Sequence, residues 1–171
     1  TRAAHGGTGA AKAGGNYAAS LYPAKLAQEQ GYQQLIWTDA KEHKYIEEAG
    51  TMNVVFHIGD KIITPKSSDT ILDGITRKSV MEIAKDWGYK TEERKVSIAE
   101  VIEAIKNGSL KDAFGAGTAA TIAPIKTVNF EGKDYELPET ENRDFSNKVL
   151  EYLNHYKHGK VEDKFNWILK F

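Results

Sequence analysis

The chain contains no cysteine, which excludes a disulfide framework, a thiolate nucleophile and a cysteine-ligated metal, and fits a reducing compartment. An excess of one charge is missing too. With 23 basic residues against 24 acidic ones and a net charge of -1, no general field recruits nucleic acid or an anionic membrane surface. No apolar run approaches the roughly 20 residues of a membrane-spanning helix. The opening residues, Thr1-Arg2-Ala3-Ala4, carry no hydrophobic signal segment. These absences read as a soluble, cytoplasmic protein without a nucleic-acid or membrane partner. The histidines His5, His43, His57, His155 and His158 fall into no metal-ligand pattern, and His155-x-x-His158 reads as a solvated helix end.

What remains is an ordinary globular composition. At 171 residues, 40% apolar and 27% charged, the chain is long enough for one sizeable core and reads as a single domain, 1–171. From Asn16 to Gln30, Ala18, Leu21, Tyr22 and Leu26 share a helical face, with Asn16 as an N-cap, Gly31 as the stop, and Pro23 predicting a kink or two short helices. Gln34 to Thr38 reads as a short strand. Met52–Ile58 and Lys61–Thr64 flank the hairpin turn Gly59-Asp60. A helix begins near Gly74, with Val80, Ile83, Ala84 and Trp87 at helical spacing up to Gly88. Thr91 to Val96 reads as a strand, and Ser97-Ile98-Ala99-Glu100 as a capping box opening a helix that Asn107-Gly108 ends. Strands Ala113–Gly115 and Thr121–Val128 follow, separated by Gly117-Thr118-Ala119, then a hairpin around Gly132-Lys133-Asp134. A final helix aligns Phe145, Val149, Tyr152, Leu153 and Tyr156. Tight turns between strands argue against a purely parallel, doubly wound sheet. The expected fold is α+β, with a mixed, partly barrel-like sheet and flanking helices.

The densest chemistry lies near the start, in Gly6-Gly7-Thr8-Gly9-Ala10-Ala11 followed by Lys12-Ala13-Gly14-Gly15-Asn16-Tyr17. A lysine among glycines and alanines has no neighbouring carboxylate, a setting that suits a Schiff-base lysine, whose ammonium must lose its proton to attack. Taken alone, the local sequence favours an exposed turn lysine. A phosphate-cradling P-loop fails on spacing, because Ala11 and Ala13 flank Lys12 where Gly-Lys-Ser/Thr is required.

Three further stretches join glycine or other small residues to polar handles: Glu48-Ala49-Gly50-Thr51-Met52-Asn53, Leu72-Asp73-Gly74-Ile75-Thr76-Arg77 and Gly117-Thr118-Ala119-Ala120. In this order the four stretches resemble the branched-chain amino-acid aminotransferases, fold-type IV pyridoxal-phosphate enzymes, and the similarity runs from Thr1 to the C-terminus. The resemblance implies the large C-terminal, cofactor-binding domain of that fold. It implies that Lys12 holds pyridoxal 5'-phosphate covalently and shuttles the proton of the substrate's α-carbon, and that Tyr17 hydrogen-bonds the cofactor's phenolic oxygen. Glu48 would keep the pyridine nitrogen protonated, as the electron sink demands; its twin Glu47 would point elsewhere on an extended segment. The free amides of Ile75 and Thr76 at a helix start would take the phosphate. Asp73 stands where the family has proline, which puts the rigidity of that loop in question. Thr118 would serve phosphate and substrate carboxylate, with Ala119 and Thr51 at the substrate end.

Gly-Thr-Met-Asn resembles the branched-chain group more than the D-amino-acid aminotransferases or the aminodeoxychorismate lyases, which stay as alternatives beside an inactive folded fragment. The implied reaction is amino transfer between leucine, isoleucine or valine and 2-oxoglutarate, amino acid and 2-oxo acid being the small-molecule partners, in a homodimer. The family's N-terminal domain, which supplies a phosphate-binding arginine and much of the hydrophobic pocket, has no counterpart by motif. The start on Thr1 points to a missing N-terminal part, and weak or no activity is expected of these residues alone.

Overall fold

The computed structural model describes residues 1–169. Glycines and apolar periodicity divide the chain much as expected, and the differences are local. The first helical stretch is two helices, α1 (Gly14–Ala18) and α2 (Leu21–Glu29), with Pro23 in the first turn of α2, where its missing N–H costs nothing. Gly31, at φ 90°, ends α2: its N–H reaches Gln28 O and that of Tyr32 reaches Ala27 O, the paired closure that a left-handed residue permits. Asn16 is not the N-cap. Ala13 takes that place and Asn16 lies buried inside α1. The expected apolar face does not meet the core, since Leu21 and Tyr22 are 69% and 70% exposed.

Next come β1 (Ile36–Thr38), β2 (Tyr45–Ala49), β3 (Met52–Ile58) and β4 (Lys61–Pro65), then α3 (Ile75–Asp86). The stretch read as one strand from Thr91 is β5 (Lys90–Arg94) and β6 (Val96–Ser97), divided at Lys95, and α4 (Ile98–Lys106) follows directly. Ser97 Oγ accepts the Glu100 N–H at 3.1 Å, the N-cap half of the capping box. The Glu100 carboxylate instead binds Arg94. β7 (Leu110–Gly117) is longer than its apolar segment suggested, and Thr121–Val128 breaks into β8 (Thr121–Pro124) and β9 (Thr127–Phe130), the latter in a hairpin with β10 (Lys133–Glu136). α5 (Asp144–Lys157) closes the domain.

Eight strands form one mixed sheet. β3 pairs with β2, β4 and β7 antiparallel, while β4 and β5 run parallel. Because β6 pairs with β2 through Tyr45↔Ser97 and Ile46↔Val96, the path β2-β3-β4-β5/β6 returns to β2 and the sheet curls on itself. That closure divides β5 from β6: the residues before Lys95 follow β4 and those after it follow β2. Along β3 the side chains alternate between two cores. Val55 joins Val80, Ile83, Phe114, Phe145 and Val149 under α3 and α5; Val54 and Phe56 join Ile46, Ile63, Val101 and Leu110 under α4. A strand apolar on both faces cannot move without disturbing both layers, so its ends give fixed positions for polar groups.

Candidate active site

One end of β2, β3 and β7 opens on a cleft walled by the lysine loop, the β2–β3 turn, the loop into α3 and the end of β7. Its lining includes Lys12, Tyr17, Glu48, Thr51, Asn53, Gly74, Ile75, Thr76 and Thr118. Seven of the eight candidate residues therefore meet there, from segments more than a hundred residues apart. Ala119 is exposed in the turn beside Thr118 but is not part of the wall.

Lys12 is exposed, and its Nζ donates to the Tyr17 hydroxyl oxygen at the long distance of 3.5 Å. The loop behind it is tied down tightly. Ala10 N–H reaches Asp69 O at 2.9 Å, and a Cβ on Gly9 would stand 2.5 Å from Thr70 Cα, so this glycine is required by close backbone approach. Arg2 bridges the same two strands of chain, donating to Gly9 O at 3.0 Å and Thr70 O at 2.7 Å. Asn16 completes the hold with Nδ2 bonds to Thr8 O and Ala11 O at 2.8 and 2.9 Å, while its Oδ1 accepts from Thr8 Oγ1. An amide that resembles a helix cap thus braces the turn immediately before Lys12.

Glu48 is 3% exposed. Its Oε1 accepts the Leu72 N–H at 2.8 Å, and its Oε2 lies 2.7 Å from Arg2 Nε. The second contact is a close ion pair without hydrogen-bond alignment, since Arg2 Nε has no aligned acceptor. Burial pushes the Glu48 carboxyl up to about 7, against the pull of Arg2 and the Leu72 amide. Glu47 is buried as well but stands outside the cleft wall, with Thr70 Oγ1 donating to its Oε1 at 2.5 Å; burial raises its pKa also. A solvated Glu-Glu pair is ruled out.

Gly74 caps α3 with an extended backbone and no side-chain bond at that helix end. The first-turn N–H groups of Ile75 and Thr76 have no intrahelical acceptor, and they line the cleft at the positive end of the helix dipole. Asp73, in the proline position, is fixed by other means: it accepts from Ser67 at 2.9 Å and Arg77 at 2.8 Å and pairs with Lys78 at 2.5 Å. Lys78 and then Arg77 hold its carboxyl down at about 2. Three groups thus face one another: an amine with no carboxylate of its own, a buried carboxylate, and an uncapped helix start. This donor set fits an anionic, aldehyde-bearing, protonated heteroaromatic ring. Among the described residues no cluster of three or more His, Cys, Asp or Glu could hold a metal, and no helix is long and apolar enough to cross a membrane.

The family pattern described as Amino-transferase class IV matches residues 2–128. Over 166 residues the chain is 45% identical to the "Probable branched-chain-amino-acid aminotransferase" of Staphylococcus aureus (strain N315), covering 97% of this chain and 46% of that protein. The branched-chain amino acid aminotransferase from Escherichia coli superposes with a TM-score of 0.81 at 29% identity, over 99% of this chain and 54% of that one. The branched-chain amino acid aminotransferase from Thermobaculum terrenum in its PLP form matches at TM-score 0.74 and 25% identity, over 95% of this chain and 49% of that one. The chain spans about half the length of the curated relatives it matches.

Proposed function

Since this chain belongs to the class IV amino-transferase family, we propose that it is the cofactor-binding domain of a pyridoxal-phosphate-dependent branched-chain amino-acid aminotransferase, acting between leucine, isoleucine or valine and 2-oxoglutarate. The observation that carries this reading is the meeting of Lys12, Glu48 and the uncapped start of α3 in one cleft. Pyridoxal phosphate would supply an aldehyde to bond the amine and a protonated ring to take up charge from the α-carbon.

The residues divide the work by position. Lys12 Nζ would hold the cofactor and serve as the base and acid for the α-proton, with the Tyr17 hydroxyl 3.5 Å away to orient it. Glu48, shielded from water, would hold the proton on the ring nitrogen. The amides of Ile75 and Thr76 and the Thr118 hydroxyl, all in the cleft lining, would hold the phosphate. Thr51 and Thr118 line the cleft where a substrate carboxylate would lie, with Ala119 in the turn next to Thr118. The cleft is open to solvent on one side, whereas proton transfer at carbon benefits from water exclusion. We expect the remaining half of the relatives' length to supply a further phosphate contact and the apolar side-chain pocket, and the 171 residues alone to be weakly active or inactive. A homodimer in the cytoplasm belongs to the same reading.

The test is chemical. Pyridoxal phosphate followed by borohydride should leave a reduced adduct on Lys12 in a peptide map, and Lys12→Ala should lose it without a change in melting temperature. Adduct spread over surface lysines, with none at Lys12, refutes the assignment.

A further inference from the structure

We propose that residue Leu72, held by its backbone N–H and by its C=O, mechanically couples the carboxylate end of the cleft to its phosphate end, with Asn53 as the positioning residue that makes the coupling; this rests on the cofactor reading above. Glu48 and Asn53 are direct cross-strand partners on β2 and β3, and they hold the two backbone polar groups of one residue. The Leu72 N–H donates to Glu48 Oε1 at 2.8 Å. The Leu72 carbonyl accepts from Asn53 Nδ2 at 2.7 Å and from the Gly74 N–H at 2.9 Å.

The grip reaches the helix start within three residues. Asn53 is 5% exposed, and its Oδ1 occupies the place a Gly74 Cβ would need. Gly74 has φ -68°, which any residue tolerates, so the glycine is demanded by Asn53 and not by backbone conformation. On the solvent side Asp73 is fastened to Ser67, Arg77 and Lys78, leaving the loop little freedom except as a unit. An anion drawn towards the amides of Ile75 and Thr76 therefore pulls on Leu72, and through it on the carboxylate of Glu48. By linkage, a change at Glu48 returns to the anion site with equal weight.

The experiment titrates the isotope-labelled 171-residue chain with inorganic phosphate and follows the amides of Leu72, Ile75 and Thr76 and the Glu48 side-chain carboxyl by NMR. Saturable shifts at Ile75 and Thr76, with Leu72 and Glu48 moving along the same isotherm, are expected of the unmodified chain. Asn53→Ala should weaken phosphate about tenfold, the value of roughly one hydrogen bond, and silence Glu48, while amides of β7 and α5 hold their positions. Gly74→Ala, which displaces Asn53 Oδ1, should weaken phosphate comparably. The double variant Asn53→Ala/Gly74→Ala should be no worse than Asn53→Ala alone. In the unmodified chain, no saturable response, or a silent Glu48 while Ile75 moves, overturns the coupling; so does undiminished affinity in Asn53→Ala, or additive losses in the double variant. Lys12 left unlabelled by pyridoxal phosphate and borohydride, with the phosphate responses as described, instead refutes the cofactor assignment and leaves the coupling standing.

Discussion

Arg2 and Arg143 are each buried against a carboxylate at different parts of the sheet, and their surroundings set them apart. Arg143 is 2% exposed. It donates twice to Pro138 O, at 2.7 and 2.5 Å, and once to Ala113 O at 3.2 Å, and it faces Asp112 Oδ1 at 3.4 Å. The other Asp112 oxygen accepts the Ser146 N–H at 2.9 Å, so a residue of β7 caps the first turn of α5 from a distance. Every group in that network has a use inside the protein. Arg2 is buried too and bridges two carbonyls, but its carboxylate, Glu48, lies in the wall of an open cleft. One network is closed within the protein, whereas the other places a buried carboxylate in a cleft wall.

Breaking the closed network should have the largest effect on stability. Arg143→Ala leaves Asp112 charged and buried and frees the Pro138 carbonyl, which should cost about 3–5 kcal/mol in denaturant unfolding. A loss under about 1 kcal/mol, the scale of an exposed ion pair, would mean that the two networks do not differ as described.

The second test sharpens the contrast through pH. Burial raises the folded-state pKa of Glu48 from 4.5 to about 7, so the folded chain keeps this proton over a window in which the unfolded chain has lost it. Its contribution to stability therefore falls as pH rises from about 4.5 to about 7, then levels off. The stability of the unmodified chain minus that of Glu48→Gln should drop by about 3 kcal/mol across that window. A difference independent of pH would show that Arg2 holds Glu48 as firmly ionised as any exposed carboxylate.

Smaller effects probe how the lysine loop is held. Gly9→Ala forces a methyl into the Thr70 backbone and should cost about 1–3 kcal/mol, as overpacking does, with a fall in Lys12 labelling that a distant mutation of equal cost would not give. Ser97→Ala, remote from both arginines, removes the N-cap of α4 and should cost about 1 kcal/mol, leaving Lys12 labelling unchanged.

The site was legible wherever its residues sit in short motifs, and obscure wherever they depend on partners far along the chain. Lys12, Tyr17, Glu48, Ile75, Thr76, Thr118 and Thr51 were each marked by neighbouring small residues and by family resemblance, and the fold brings them to one cleft. Arg2 carried no local signal, because its partners Thr70 and Glu48 lie tens of residues away. Asn16 misled for a physical reason: asparagine before a helical run usually caps it, but here the side chain turns back to brace Thr8 and Ala11. Asn53 stood inside a quoted motif, yet its hold on Leu72 exists only once β2, β3 and the loop into α3 have met.

The sequence by itself determined the local grammar: the Gly31, Gly88 and Gly108 stops with positive φ, the Ser97 cap and the Gly59-Asp60 hairpin. These depend on interactions within a few residues, and the chain carries them wherever it goes. Tertiary structure alone decided that one predicted strand divides at Lys95 to close the sheet, and that Leu21 and Tyr22 face outward. It also decided that Glu48 meets the cleft while its neighbour Glu47 binds Thr70. Those outcomes follow from pairing and burial between distant segments, where alternating side chains of one strand enter different surroundings.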